Sequence, residues 1–168
     1  MTAQILTQAR LRELLHYDPG TGVFTSQTKR GRFRAGTVMG TLNRSGRIHL
    51  HIDNKKYFAH RLAWLYTTGN WPLHEIDHIN GVPTDNRISN LREATAKQNG
   101  ENRGKQRNNT SGYKGVTWSK KSQKWQAQIC HNGTRKQLGV FVDPKAAHKA
   151  YLVAVNQLFT HTDRISQE

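Results

Sequence analysis

Residues 74 to 99 read His74-Glu75-Ile76-Asp77-His78-Ile79-Asn80-Gly81, then Val82-Pro83-Thr84, then Asp85-Asn86-Arg87-Ile88-Ser89-Asn90-Leu91-Arg92, and close on Gln98-Asn99. Ile76 to His78 has the pattern of a strand end, and Asn80-Gly81 turns the chain. Asn90 is read as opening a helix that carries Leu91, Ala94 and Ala96. Asn99 lies nine residues past Asn90, about two and a half helical turns. Strand, loop and helix thus aim one carboxylate, one imidazole and two amides at a common point.

Upstream, Thr7 is placed to cap a short helix with Leu11, Leu14 and Leu15 on one face, ending near Tyr17-Asp18-Pro19-Gly20. Short β-like runs follow at 23–25, 37–41 and 47–52, the last with Ile48, Leu50 and Ile52 alternating with Arg47, His49 and His51. Asp53-Asn54-Lys55-Lys56 reads as a hairpin turn, and His60 to Thr68 as a helix stopped by Gly69-Asn70 and Trp71-Pro72.

Downstream, Lys97 to Gly112 (KQNGENRGKQRNNTSG) has no large apolar side chain to bury and reads as a basic linker. Strands are expected at 114–118, 124–130 and 136–141, with His131-Asn132-Gly133 as the second turn. Asp143 is a natural N-cap and Pro144 a natural first helical residue. Their helix runs to about Phe159 with Ala147, Ala150, Tyr151, Ala154 and Leu158 on one stripe. The expected class is α+β. Residues 1–96 form a module of helices and small antiparallel strands, 97–112 the linker, 113–160 a three-stranded antiparallel sheet packed on one helix, and 161–168 a tail.

Charge sorts along the same division. The 168 residues carry 26 Lys or Arg and 11 Asp or Glu, a formal net charge of +15, which points to a polyanionic partner. Residues 1–96 hold 13 basic and 7 acidic side chains, whereas 97–149 hold 12 and 2, so basic charge concentrates in the second half. A hydrophobic content of 35% suits one or two small cores. Cys130 is the single cysteine, which excludes intrachain disulfides and paired-cysteine zinc sites. No apolar run approaches the roughly 20 residues of a bilayer span. The N-terminal residues lack a basic segment followed by an apolar one, so a membrane or secreted protein is disfavoured and a cytoplasmic one expected.

The 74–99 set suits phosphodiester hydrolysis. A neutral histidine takes a proton from water near pH 7 if its ring is held in one tautomer. An Asn carbonyl oxygen supplies the acceptor that holds it. A hard divalent ion, bound by a carboxylate and an amide oxygen, neutralises charge on the phosphorane and steadies the leaving oxygen. Asp77, His78, Asn90 and Asn99 suffice for these roles.

Together with Leu14-Leu15-His16-Tyr17-Asp18 and Ala59-His60-Arg61-Leu62-Ala63-Trp64, this stretch resembles the HNH endonucleases, in particular phage and intron-encoded homing enzymes whose third motif position is Asn. The resemblance implies a ββα-metal core, with His78 as general base and Asn90 orienting it. Asp77 and Asn99 would ligate one Mg²⁺ or Mn²⁺ per site, with Asn102 as the alternative to Asn99. Oxygen ligands suit those ions better than zinc. The resemblance also implies double-stranded DNA as partner, 5′-phosphate and 3′-hydroxyl products, and a phage-infected or bacterial cell.

Other polar residues are assigned to DNA. His60 and Arg61 open a helix and reach an anion at its positive end, with packing as the alternative for His60. Arg87 joins them, and Lys105 and Arg107 follow a phosphate backbone. His49 and His51 share a polar or DNA-facing strand face, and His74 is expected in solvent, with the metal shell as the alternative. Tyr113-Lys114-Gly115-Val116, Lys124-Trp125-Gln126-Ala127-Gln128-Ile129, Leu138-Gly139-Val140-Phe141 and Ala146-Ala147 to Ala150-Tyr151 resemble the plant ethylene-response-factor (AP-two) DNA-binding domain. That resemblance implies a sheet lying in the major groove. Alternation puts Lys124, Gln126 and Gln128 on one face, and Lys114, Arg135 and Lys136 extend the basic surface. Trp118 and Trp125 are assigned to core packing, with base or sugar contact as the alternative. Thr117, Ser119 and Cys130 stand where plant members commonly carry Arg, and Gln137 where they carry Trp, so the plant recognition sequence does not transfer.

The preferred reading is a metal-dependent, site-directed DNA endonuclease without a small-molecule cofactor, expected as a monomer with a dimer as the alternative. A non-catalytic DNA-binding regulator with a structural HNH module is the competing reading. A basic RNA-binding protein accounts for the charge but not for the 74–99 set.

Overall fold

Thr7 accepts a hydrogen bond from the Arg10 N–H and starts α1 (Gln8–Leu14) in the computed structural model, which describes residues 6–29, 31 and 33–163. The tail from residue 164 onward and the first five residues lie outside that range. The helix stops earlier than expected. Leu15 is already extended, with φ −134° and ψ 143°, and enters β1 (Leu15–Asp18). Leu15 and Tyr17 are buried while His16 between them is exposed, so period two takes over from the helical period. β1 pairs with β2 (Val23–Ser26), and β2 with β3 (Val38–Met39), both antiparallel.

A second antiparallel sheet follows, with β4 (Thr41–Leu42), β5 (Ile48–Ile52) and β6 (Lys55–Phe58) in that order. Asp53 and Asn54 both take positive φ, 46° and 61°, forming the expected two-residue hairpin turn. His49 departs from its expected surface role. It is buried opposite Phe58, its Nδ1 has no hydrogen-bond partner, and His51 alone is exposed. α2 (Ala59–Thr68) ends as expected on Gly69, left-handed at φ 82°, whose N–H donates to the Leu65 carbonyl. Leu11, Leu14, Leu15, Tyr17, Phe24, Leu50, Ile52, Leu62, Leu65, Ile76 and Leu91 form one core beneath these elements.

β7 (Glu75–His78) is the predicted strand, but the helix expected from Asn90 is not formed. One 3₁₀ turn over Ile88–Asn90 leads into β8 (Leu91–Ala94), antiparallel to β7 with Asp77 opposite Arg92 and His78 opposite Leu91. The Asn90 side chain competes with helical geometry by bonding backbone groups of the preceding loop. The helix begins only at α3 (Ala96–Glu101), where Thr95 and Gln98 make a reciprocal capping box.

Residues Met1–Ala94 and Thr95–Glu168 form two compact units. In the second, the stretch read as a linker contributes α3 and a turn in which Asn109 Oδ1 accepts from the Gly112 N–H and the Ser111 hydroxyl. Beyond it, β9 (Val116–Ser119), β10 (Lys124–His131) and β11 (Thr134–Phe141) build an antiparallel sheet with β10 central. Asn132 and Gly133 turn the second hairpin with positive φ. α4 (Pro144–Leu158) starts where expected, with the Asp143 carboxylate accepting from the Lys145 and Ala146 N–H groups. It lays Ala147, Tyr151, Ala154 and Val155 on Val116, Ala127 and Ile129. Gly115, at φ +76°, lies flat on the Tyr151 ring, where a Cβ would overlap it. The α+β class is therefore the one expected. Trp125 packs into this core, but Trp118 does not: it is 43% exposed and meets Trp125 edge to face.

Candidate active site

Asp77 and His78 are the last two residues of β7, and both are buried at 7% exposure. The loop from Ile79 to Asn90 returns the chain to β8, and Asn90 closes it. The Asn90 carbonyl accepts from the Ile79 N–H at 2.9 Å, its Oδ1 from the Asn80 N–H at 3.0 Å, and its Nδ2 donates to the Asp85 carbonyl at 2.8 Å. Inside the loop, Asn80 Nδ2 and the Arg87 guanidinium both donate to Asp85. Arg87 is the first cause that holds the Asp85 carboxyl down to about 2. Asn90 and Arg87 thus brace loop groups, whereas the sequence reading gave Asn90 to the His78 ring and Arg87 to DNA.

The ring partner is Asn86. Its Oδ1 lies 3.3 Å from His78 Nε2, and its Nδ2 donates to the Thr84 carbonyl at 3.2 Å. With the amide N committed to a carbonyl, Oδ1 is the acceptor presented to the ring, so Nε2 carries the proton and Nδ1 the lone pair; the amide orientation and tautomer are assigned from this network. Burial lowers the His78 pKa below the ordinary histidine value; the Asn86 bond opposes that shift and nearby Arg47 adds to it. The imidazole is accordingly neutral at pH 7, the form a proton acceptor needs.

His60, in the first turn of α2, is buried rather than facing an anion in solvent. It stacks on Phe58 and meets His78 edge to face with ring centroids 5.2 Å apart. Its Nδ1 has no hydrogen-bond partner. Burial first, then His78 and Arg47, push its pKa down to about 3, so it too is neutral. Arg61 turns to the chain that follows α2, with Nη1 3.4 Å from the His74 carbonyl and Nη2 3.5 Å from that of Pro72.

Asp77 Oδ2 accepts from Arg92 Nε at 3.1 Å and Nη2 at 3.0 Å, across the β7–β8 pair. The guanidinium balances a carboxylate that would otherwise be costly to bury. Among the described residues no three His, Cys, Asp or Glu side chains cluster so as to hold a metal ion. The buried Asp77 carboxylate is a hard oxygen ligand, the kind that a divalent cation takes. Asn99 sits on α3 in the second unit, its N–H donating to the Thr95 carbonyl, and Asn102 is the buried C-cap of that helix.

In the second unit, strand register sorts the remaining candidates. Gln126 lies opposite Thr117 and Val140, Gln128 opposite Gln137, and Lys124 opposite Ser119. Arg135, paired with Cys130, shares that outer face, whereas Lys136 pairs with buried Ile129 and points the other way. Lys114 Nζ donates to the Glu101 and Arg103 carbonyls, and Lys105 Nζ to the Gly112 carbonyl. Arg107 is exposed. Asn86 and Arg92, both inside the quoted string, escaped sequence reasoning because their roles depend on how the loop closes and which residue faces which across the strands.

A family model described as HNH endonuclease matches residues 57–101, the span from β6 to α3. Protein 3.8 of Escherichia phage T7 is 37% identical over 75 residues, which are 44% of this chain. The chain spans 62% of the length of that curated relative. No solved structure matches the chain. The HNH match covers β7, β8 and the loop between them. It stops at Glu101, so the C-terminal unit is a three-stranded sheet packed on a helix, without an AP-two assignment. No described helix is long and apolar enough to cross a membrane.

Proposed function

We propose that this protein is a metal-dependent, site-directed DNA endonuclease that hydrolyses one phosphodiester per active site, with His78 as general base. The reading rests above all on one observation: within the HNH-matched segment, a buried and neutral imidazole has its Nε2 on an amide oxygen and sits beside a buried carboxylate. His78 Nδ1 takes the proton of the attacking water, and the Asn86 carbonyl steadies the imidazolium that forms. Asp77 would hold one Mg²⁺ or Mn²⁺, which when bound supplies a Lewis acid for the phosphate oxygens. Arg92 holds the Asp77 carboxylate in place with two hydrogen bonds. Asn90 acts through the loop rather than on the ring, by joining Asn80 to Asp85.

Grip on DNA is assigned mainly to the second unit. Lys124, Gln126, Gln128 and Arg135 form one outer sheet face of a kind that fits the major groove, where Gln pairs with adenine and the cations meet guanine or phosphate. Arg107 and the stretch around it add phosphate contacts. A monomer with one site nicks one strand, and a double-strand break requires a dimer or a second event. Supercoiled plasmid carrying the native target is the test. Relaxation in Mg²⁺ or Mn²⁺ that stops on chelation supports the reading, while binding without cleavage in either ion favours the regulator.

A further inference from the structure

The N-terminal hairpin of β1 and β2 lies outside residues 57–101, yet its turn is built against the loop that holds His78. Tyr17, 2% exposed and packed against Phe24 and Tyr66, donates its hydroxyl to the Asn86 carbonyl at 2.7 Å. Burial pushes the Tyr17 phenol up to about 12, so it remains a donor across the range in which a nuclease works. At the turn, the Gly22 N–H bonds to the Asp18 carbonyl, and the Asp18 carboxylate accepts from the Gly20 N–H and the Thr21 hydroxyl. This leaves Gly22 at φ +74° with its α-carbon against the next segment. A Cβ there would lie 2.5 Å from both Arg87 N and Asn86 C and 3.0 Å from Asn86 Cα. These are backbone atoms, which cannot swing aside. Asn86 itself is 1% exposed, and its amide spans His78 Nε2 and the Thr84 carbonyl.

We propose that the Leu15–Ser26 hairpin is a positioning element of the active site: Tyr17 and Gly22 fix the Asn86 backbone, and Asn86 in turn fixes the ring plane and tautomer of His78. The argument is one of transmission by rigid parts. A buried phenol sets the height of the Asn86 carbonyl, the missing Cβ at Gly22 sets how closely the turn approaches, and an amide with both ends bonded has one orientation left. None of these residues touches substrate. The inference rests on the reading of His78 as base, and its test has a readout that does not need cleavage.

The test uses the metal-free full chain. ¹⁵N shifts of the His78 ring nitrogens, at a pH where the ring is neutral, report which one carries the proton. Wild type gives the Nε2–H pattern. Asn86→Ala and Gly22→Ala move it toward a mixture of tautomers, Tyr17→Phe moves it part of the way, and Gly20→Ala leaves it alone, since a Cβ at Gly20 meets only ordinary contact. With plasmid, loss of such a supporting contact lowers kcat by about 10- to 100-fold, while KM stays within about twofold. Tyr17→Phe keeps the ring and removes one oxygen, so it decides the matter if Gly22→Ala does not fold. Folded Gly22→Ala and Tyr17→Phe with wild-type ¹⁵N shifts and kcat would overturn the proposal. Should wild type cleave no DNA, the base assignment fails, and the shifts still decide what the hairpin does to His78.

Discussion

The loop between β7 and β8 and the outer face of β9–β11 are both polar, and they are built on opposite plans. In the loop and the strand ends that carry it, polar side chains are committed: Asn90 to Asn80 and Asp85, Asn86 to His78 and Thr84, Arg87 to Asp85, Arg92 to Asp77. On the sheet, Lys124 and Arg135 stand exposed, Arg135 opposite Cys130, which lies six residues from Lys124 along β10. Groups that must reach one geometry are interlocked, and at the buried ones, His78, Asn86 and Asp77, a lost partner costs the full desolvation of the other. Groups that track a polyanion stay hydrated and act additively. Substitutions should therefore fail steeply in the first region and gradually in the second.

A steep loss is expected at Asp77. Asp77→Asn removes the carboxylate that would hold the ion and that accepts two hydrogen bonds from Arg92. Single-turnover cleavage should fall by about 10³-fold, the size of a lost charge-stabilising contact. A variant within tenfold of wild type would break the contrast at its most committed point.

His60 gives a pH prediction. Its folded pKa is about 3, against an unfolded value near 6.5. Between these values the unfolded chain binds the proton and the folded chain does not. The stabilisation is present above about 6.5, and stability falls as the pH drops from there toward 3, by at most about 1.4 kcal/mol per unit. His60→Phe, which keeps the stack on Phe58, should flatten the urea-unfolding stability of the chain between pH 6.5 and 4 relative to wild type. An unchanged slope would mean that the His60 ring is not held neutral by burial.

The smallest effects belong to the sheet. Lys124→Ala or Arg135→Ala should weaken binding modestly and reduce the slope of log affinity against log salt by about one each, with kcat unchanged. Lys136→Ala, on the other face, should move the slope less. If Lys136→Ala matches Arg135→Ala, the register does not select the DNA face.

Much of this contrast was legible in the residues. Asp143-Pro144 set the start of α4 and Asn132-Gly133 the second hairpin, because each signal acts over a few adjacent residues. Leu91 and Ala94, spaced three apart, suited a helix equally well, and only the long-range pairing with β7 makes them a strand. The Thr95 and Gln98 capping box carried the missing boundary. Asp77 and His78 stood out by type and spacing. Asn86 and Arg92 did not, because an amide facing a ring and an arginine facing a carboxylate across two strands are set by loop closure and register. Tyr17 and Gly22 were further hidden by distance, Tyr17 lying 69 residues from the carbonyl it bonds.

The central claim is that His78, neutral and held by Asn86, takes the proton from water. Cleavage of target-bearing supercoiled plasmid by His78→Ala in Mn²⁺, beside wild type, tests it most directly. Loss of a general base predicts a fall in kcat of about 10²- to 10⁴-fold with DNA binding retained. Cleavage by His78→Ala at the wild-type rate would contradict it.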